Sequence, residues 1–256
     1  MKELISVIIP LYNSEHLIKE TLASVLSQTY QNIEVLVVDD CSTDSSYAIV
    51  EELAKKDNRI KLFKNEVNSG AAVSRNVGLK NSTGRYIAYV DADDLWKEDK
   101  LEKQIKFLNE NKIGFSCCGY NVINENGIDQ NKEIFMPNKV TYKKFLRNTI
   151  LQTVGIIVDT NIVDKSLLVM PLVRRGQDAA TWAQILKKGH ICYGQHEVLA
   201  SYRKVKNSLS SNKFKAVKRT WHWYRKIEKL SVFYASYCFI GYALNAVKKR
   251  LYIRKK

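Results

Sequence analysis

Proline and glycine are scarce in this chain, with three and eleven among 256 residues. Too few of either remain to build a low-complexity linker, and no internal repeat is visible. The chain is therefore read as one large domain, or one domain with an appendage, able to bury a sizeable core. Cysteine is sparse too. Cys41, Cys117, Cys118, Cys192 and Cys238 are odd in number and lack the spacing of a zinc site. Five buried thiols in a reducing cytoplasm are expected. His16, His190, His196 and His222 show no ligand spacing and are expected as surface or core residues. No G-x-G-x-x-G follows the first apolar run and no G-x-x-x-x-G-K-[ST] occurs anywhere. Those absences disfavour a Rossmann dehydrogenase and a P-loop NTPase. The opening "MKELISVIIPLYNSEH" is too short in apolar residues for a secretory signal and should form a first strand.

Acidic residues are missing from one region. Of 41 Lys and Arg, 16 lie from Arg203 onward, yet only one of the 26 acids, Glu228, does. The net charge of +15 thus belongs to the last 54 residues, while residues 1–202 balance. A neutral body with a basic tail points to an anionic partner, membrane surface or nucleic acid. Within the tail, Leu230 to Val247 carries no charge, between the cationic stretches "RKIEK" and "KKRLYIRKK". Its Ser, Asn and Tyr make it a poor bilayer span. A helix resting on the cytoplasmic leaflet, with Lys and Arg on anionic lipid, is the preferred expectation. The alternative is a helical pair packed on the body. Aromatics scattered among long apolar stretches, and not arrayed on a basic groove, argue against nucleic acid as the partner.

What is abundant is alternation. "LISVIIP" (4–10), "IEVLVVD" (33–39), "RIKLF" (59–63) and "YIAYV" (86–90) read as buried strands. Helices with apolar positions three or four apart are expected near 17–26, 43–56 and 70–81. Strand–helix alternation of this kind predicts an α/β fold, a mostly parallel sheet flanked by helices, with ligands at the carboxyl ends of the strands. Further on come a helix over 98–110, "IGFSCCGYNVI" (113–123), a turn at 125–127, and a strand near 131–136. "TVGIIVD" (153–159), a helix near 179–188, strands near 190–194 and 197–202, and a basic helical region from about Asn212 complete the pattern. A soft boundary falls near Ser201.

Polar residues gather at the strand ends. "DADD" packs Asp91, Asp93 and Asp94 into four positions, where they repel one another. Such a cluster persists if it is solvated, if it caps the following helix, or if it neutralises something positive, as two acids sharing a divalent cation with a diphosphate would. In "VVDDCSTD", Asp44 or Thr43 should cap the next helix, while Asp39 and Asp40 end a buried strand where they could accept a hydrogen bond from a ligand N–H. "NSGAAVSRNVG" places Gly70 at a helix start and Arg75 on a less exposed helix face, where it needs an acidic partner or a phosphate. In "RRGQDAATW", Asp178 is a helix cap or a general base.

Together "SVIIPLYN", "VVDDCSTD", "NSGAAVSRNVG", "YVDADD" and "GQDAATW" resemble, in order and interval, the inverting family-2 glycosyltransferases of GT-A fold. Residues 201–230 further resemble bacterial members that build surface polysaccharides. The resemblance implies a catalytic domain over 1–202, with a nucleotide-sugar half (1–112) and an acceptor half (113–202), followed by a basic helical region (203–256). It implies a nucleotide-sugar donor, commonly a UDP-sugar, with Mn²⁺ or Mg²⁺ on Asp91 and Asp93. Pro10, Leu11, Tyr12, Asn13 and Asp40, with Gly70, Arg75 and Ala92, would line the donor. Asp178 takes the catalytic-base position, although many relatives carry Glu-Asp where this chain has Gln177-Asp178. The acceptor would be a saccharide, possibly lipid-linked, met at the inner face of the cell membrane. A nucleic-acid-binding protein and a catalytically silent scaffold of the same fold are the competing classes.

Overall fold

The computed structural model describes residues 3–173, 176–204, 218 and 220–255. Strands β1 (Ile5–Leu11) and β2 (Ile33–Asp39) run parallel with Leu11 opposite Asp39. β3 (Ile60–Lys64) extends the sheet beyond β2, and β4 (Tyr86–Tyr89) flanks β1 on its other side, both parallel. Helices α1 (Ile18–Leu26), α2 (Ser46–Lys56) and α3 (Ala71–Asn81) make the crossovers. β2 is buried along its whole length, as a strand covered by helices on both faces must be. All three strand ends that matter, at Leu11, Asp39 and Val90, fall on one edge. α2 begins three residues later than expected because Asp44 accepts the Ser46 N–H at 2.9 Å and turns the chain first.

The second half of the sheet is mixed. β9 (Ile156–Asp159) lies antiparallel to β4, and β6 (Phe115–Asn124) antiparallel to β9. β7 (Asp129–Ile134) forms a hairpin with β6. β10 (Cys192–Lys204) runs parallel to β6 and also pairs with the short β5 (Leu95–Trp96) and β8 (Lys139–Val140). The two strands expected at 190–194 and 197–202 are thus one strand. Its register shifts between Gln195 and Val198 and again before Ala200, and such irregularities let a long strand follow the twist of its neighbour. β10 also runs through the expected boundary near Ser201. Helices α4 (Lys100–Asn111), α5 (Tyr142–Arg147) and α6 (Gln177–Lys187) cover this half.

The C-terminal helix α7 (Val232–Tyr252) packs one face on the body. Ala235 and Cys238 are fully buried, and Asn245 donates to the Arg147 carbonyl of α5 at 3.1 Å. A Cβ on Gly241 would lie 2.9 Å from the Arg147 side chain, so the small residue permits the contact. By this face the helix is packed on the body, as the alternative expectation had it. Its other face stays open: Phe233, Tyr237, Ile240 and Leu244 are exposed. Among the described residues no helix is long and apolar enough to cross a membrane. After α7 the chain closes with β11 (Ile253–Lys255), an unexpected strand antiparallel to β7. The expected helical stretch at 212–217 lies outside the described residues. Four of the five cysteines are buried thiols, whereas Cys41 is partly exposed on a left-handed turn at φ 61°.

At the sheet edge opposite the site, Glu34 joins three elements. Its carboxylate accepts from Ser6 Oγ of β1 at 2.6 Å, Thr83 N before β4 at 2.6 Å and Lys61 Nζ of β3 at 2.6 Å. Burial opposes its charge, but these donors outweigh burial and hold it at about 2, below its ordinary 4.5. A carboxylate depressed in this way stabilises the fold above pH 4.5 and loses that contribution as pH falls toward 2. Glu34→Gln should cost about 1–3 kcal/mol at pH 7, the range for charged hydrogen bonds. The difference between the two proteins in urea melts should shrink steadily below pH 4.5. A gap that persists unchanged at pH 3 would refute the linkage.

Candidate functional site

The crowded carboxylates after β4 are set by two buried arginines, one from each half of the sheet. Arg75 of α3, only 5% exposed, pairs through Nη2 with Asp91 Oδ1. Burial opposes its charge, but Asp91 and then Asp178 raise its pKa above the ordinary value. Arg203 of β10 is 3% exposed and reaches Asp93, Glu20 and the β6–β7 turn together. Its Nε donates to the Asp93 carbonyl at 2.7 Å, Nη2 to Glu20 Oε2 at 2.6 Å, and Nη1 to the Glu125 carbonyl at 3.2 Å. Its backbone N–H donates to Asp94 Oδ1 at 2.8 Å. Thr21 of α1 supports the same loop by donating to the Ala92 carbonyl at 3.0 Å. The helix-capping reading of this cluster fails: α4 starts only at Lys100, and no side chain caps it.

The three aspartates have separate environments. Asp94 is buried and turned back onto Arg203, and burial, then Asp93 and Asp91, push it well above the carboxylate range. Burial followed by the charge of Asp91 pushes Asp93 up to about 6. Asp91 is 37% exposed and lines the cleft. Among the described residues no group of three His, Cys, Asp or Glu could hold a metal ion unaided. Asp91 and Asp93 still fit a hard divalent ion, which keeps waters and takes its remaining oxygens from a ligand phosphate. The raised Asp93 is a carboxylate whose charge the protein leaves poorly compensated, and a cation would relieve it.

Asp178 sits in the first turn of α6, after Gly176 at φ 76°. Gly176 occupies the cap position and no side-chain cap bond forms, so Asp178 is not the helix cap. The helix is located by Trp182, one turn further on. Trp182 is fully buried, with its ring 5.8 Å from Tyr89 and 6.0 Å from Phe115. Because Tyr89 lies two residues before Asp91, one aromatic contact sets the relation between α6 and the end of β4. Asp91, Asp94 and Asp178 consequently line one cleft of about 470 Å³. Asp93 does not line it.

The remaining residues expected at the site lie along the neighbouring strand ends. Pro10 and Leu11 end β1, with Leu11 buried and Tyr12 beyond it 49% exposed. Asn13, at φ 45°, accepts from Thr43 N at 2.8 Å and so joins the loops after β1 and β2. Asp40 is buried, and its carboxylate is engaged by Asn65 Nδ2 at 2.7 Å, Ser69 N at 2.9 Å and Gly70 N at 2.7 Å. It caps α3 from outside, and Gly70 at φ 87° turns the chain so that these N–H groups reach it. Asp39, also buried, accepts from Ser42 N at 3.2 Å. Gly70 with Leu172 and Gln177 lines a separate hollow of about 380 Å³.

Sequence reasoning missed part of the wall of this cleft. Thr220, His222, Trp223, Ile227 and Tyr242, all from the basic C-terminal region, line it together with Asp178. A π-helical turn, Trp223–Ile227, carries part of this wall. It is pinned by Tyr224, whose hydroxyl donates to the Leu146 carbonyl, and by Trp223 edge-on to Phe145 at 6.0 Å. The one available signal was the concentration of Trp and His at 221–223.

Residues 6–168 match the model for glycosyl transferase family 2. A Bacillus subtilis (strain 168) glycosyltransferase assigned to teichuronic acid biosynthesis, TuaG, is 47% identical over 98% of both chains. An Escherichia coli protein, UDP-Glc:α-D-GlcNAc-diphosphoundecaprenol β-1,3-glucosyltransferase WfgD, is 42% identical over 85% of this chain and 84% of its own. Among solved structures, Staphylococcus aureus TarS residues 1–349 with UDP-GlcNAc superposes at TM-score 0.69 and 23% identity, covering 93% of this chain and 71% of that one. A Pyrobaculum calidifontis mannosyltransferase with GDP-Man and Mn²⁺ gives 0.62 at 20% identity, covering 96% of this chain and 75% of that one. A parallel β3-β2-β1-β4 sheet, acidic groups at its carboxyl edge and these likenesses agree: the chain belongs to glycosyl transferase family 2, as a glycosyltransferase of GT-A fold.

Proposed function

We propose that this enzyme moves a hexose or N-acetylhexosamine from a UDP-sugar to a saccharide hydroxyl, with inversion, in building a bacterial cell-surface polysaccharide or lipopolysaccharide. The acceptor is joined to a lipid through a diphosphate and is met at the cytoplasmic face of the membrane, where the C-terminal region rests. The observation that carries this reading is the single cleft bringing Asp178 to Asp91 and Asp94, with Arg75 coupled to both Asp91 and Asp178. The names of the E. coli and B. subtilis relatives support the substrate classes. Residues 1–112 then serve the donor, 113–202 the acceptor, and 203–256 close the acceptor side. A nucleic-acid partner or a silent scaffold is less well supported, since Asp91, Asp93 and Asp178, the acids that transfer would use, are all present.

In this mechanism Asp178 accepts the proton of the acceptor hydroxyl as that oxygen attacks the anomeric carbon from the face opposite the diphosphate. Arg75 places a buried positive charge beside both Asp91 and Asp178. Arg203 holds the Asp91–Asp94 loop rigid from behind, so the carboxylates do not spring apart as charge develops. A Mn²⁺ or Mg²⁺ ion, held by Asp91 and Asp93, would neutralise the departing diphosphate. Tyr12 and Asn13, at the open end of β1, would contact the base and ribose.

Asp178→Asn keeps the shape of the side chain and removes no cap bond, so the melting temperature should hardly move. Transfer should fall by roughly 10²–10⁴ while UDP-sugar binding survives. Equal losses of stability and activity would remove Asp178 from the base role, and a product of retained anomeric configuration by NMR would exclude inversion. Asp93→Asn should abolish the Mn²⁺-dependent rise in melting temperature that UDP produces, and transfer with it. Near-normal turnover of that variant at limiting Mn²⁺ would overturn the cation assignment.

A further inference from the structure

Beside the catalytic cleft lies a second, wider hollow of about 650 Å³, lined by Lys218, Trp221, His222, Arg225, Lys226 and Phe239. The two differ sharply in charge. The cleft holds three aspartates, whereas among the described residues no carboxylate lines this hollow. His222 borders both. Three fixed cations share the space with Trp221 and Phe239, whose rings meet edge to face at 5.9 Å. A neutral saccharide gains nothing from three cations, and a free phosphate gains nothing from two aromatic rings. The lining suits an anion that carries an apolar chain.

The surroundings continue the same chemistry. Phe239 is followed in α7 by Ile240, one of a row with Phe233, Tyr237 and Leu244 that are 90%, 61%, 56% and 60% exposed for Phe233, Ile240, Tyr237 and Leu244. Spacings of four, three and four place them on one helix face for about 16 Å of its length. That face is opposite Ala235 and Cys238, which are buried on the body. Phe239 stands about 100° round the helix from Ile240, so the hollow and the apolar row share one helix but not one face.

We propose that this hollow is the subsite for the diphosphate of a polyprenyl-diphosphate-linked saccharide acceptor. Lys218, Arg225 and Lys226 hold the diphosphate, Trp221 and Phe239 carry the first isoprenoid units, and the apolar row of α7 seats in the leaflet that holds the rest. In such an acceptor the sugar is bonded directly to the diphosphate, so the two sites must adjoin. They do, at His222, past which the sugar enters the cleft of Asp178. The assignment rests on the transfer reaction proposed above and adds the feature by which the enzyme selects its acceptor.

The test uses the full chain and the double variant Lys218→Ala/Lys226→Ala, whose side chains are exposed and hold no packing. Arg225 is left in place because it also donates to the Leu230 carbonyl. Calorimetry in EDTA without nucleotide, which removes cation-assisted binding at the donor site, compares farnesyl diphosphate, farnesol and inorganic diphosphate. Farnesyl diphosphate should bind the wild type at least about tenfold more tightly than either fragment, and should lose about tenfold or more in the double variant, as two charge-assisted contacts warrant. In transfer assays, the ratio of kcat/KM for a GlcNAc-diphosphate-lipid to that for the same lipid glycoside without diphosphate should fall about tenfold. Unchanged binding and an unchanged ratio in the variant, or inorganic diphosphate binding as tightly as the farnesyl compound, would overturn the subsite. Selective farnesyl diphosphate binding without any sugar transfer would instead overturn the transferase assignment and leave the subsite standing.

Discussion

Like charges crowded into the Asp91–Asp94 loop would drive it open unless something positive held it, and two buried guanidinium groups do so from opposite sides. Arg75 answers Asp91 from the parallel half of the sheet, and Arg203 answers the Asp93 carbonyl and Asp94 from the mixed half. Neither is replaceable by a lysine without loss, because each uses the forked geometry of the guanidinium or its full burial. The loop geometry on which the chemistry rests is therefore maintained by the fold as a whole and not by the loop's own residues.

Rigidity on the donor side is matched by a composite acceptor side. Trp182 fixes α6 against Tyr89, which relates Asp178 to Asp91 through one packed aromatic cluster. Part of the cleft wall comes from the C-terminal region, tied to α5 through Phe145, Leu146 and Arg147. The region that looked like a separate basic tail thus lines the cleft shared with Asp91 and Asp178. Three of its cations, Lys218, Arg225 and Lys226, line a hollow that meets the acidic cleft at His222.

The parallel half was legible because its strands are buried on both faces and their polar ends coincide. The site acids stood at those ends, where solvation alone did not account for them. Three features were hidden for identifiable reasons. Arg203 was one of many cations in a basic region, and nothing local marks it as buried. Asp40 looked available to a ligand, since its three donors come from a loop 25–30 residues away. Lys100 opens a helix and reads as a solvated cation, yet it is fully buried over the Trp96 ring at 4.0 Å, where burial pulls it down to about 8. For Arg203 and Asp40 the deciding partners are distant in sequence, and for Lys100 the burial itself is tertiary, so local periodicity carries no record of either.

The ion pair between Glu20 and Arg203 spans 183 residues. Contacts of such separation form late, because the chain entropy of closing so long a loop must first be overcome. On a ribosome the parallel half emerges first and can fold with β1 to β4 in place. The loop carrying Asp91 to Asp94, however, waits for β10 to be synthesised and docked before its carbonyl and carboxylate meet Arg203. The nascent chain thus holds its parallel half-sheet while the Asp91–Asp94 loop is still unset, and the loop gains its rigid support only once β10 has been made.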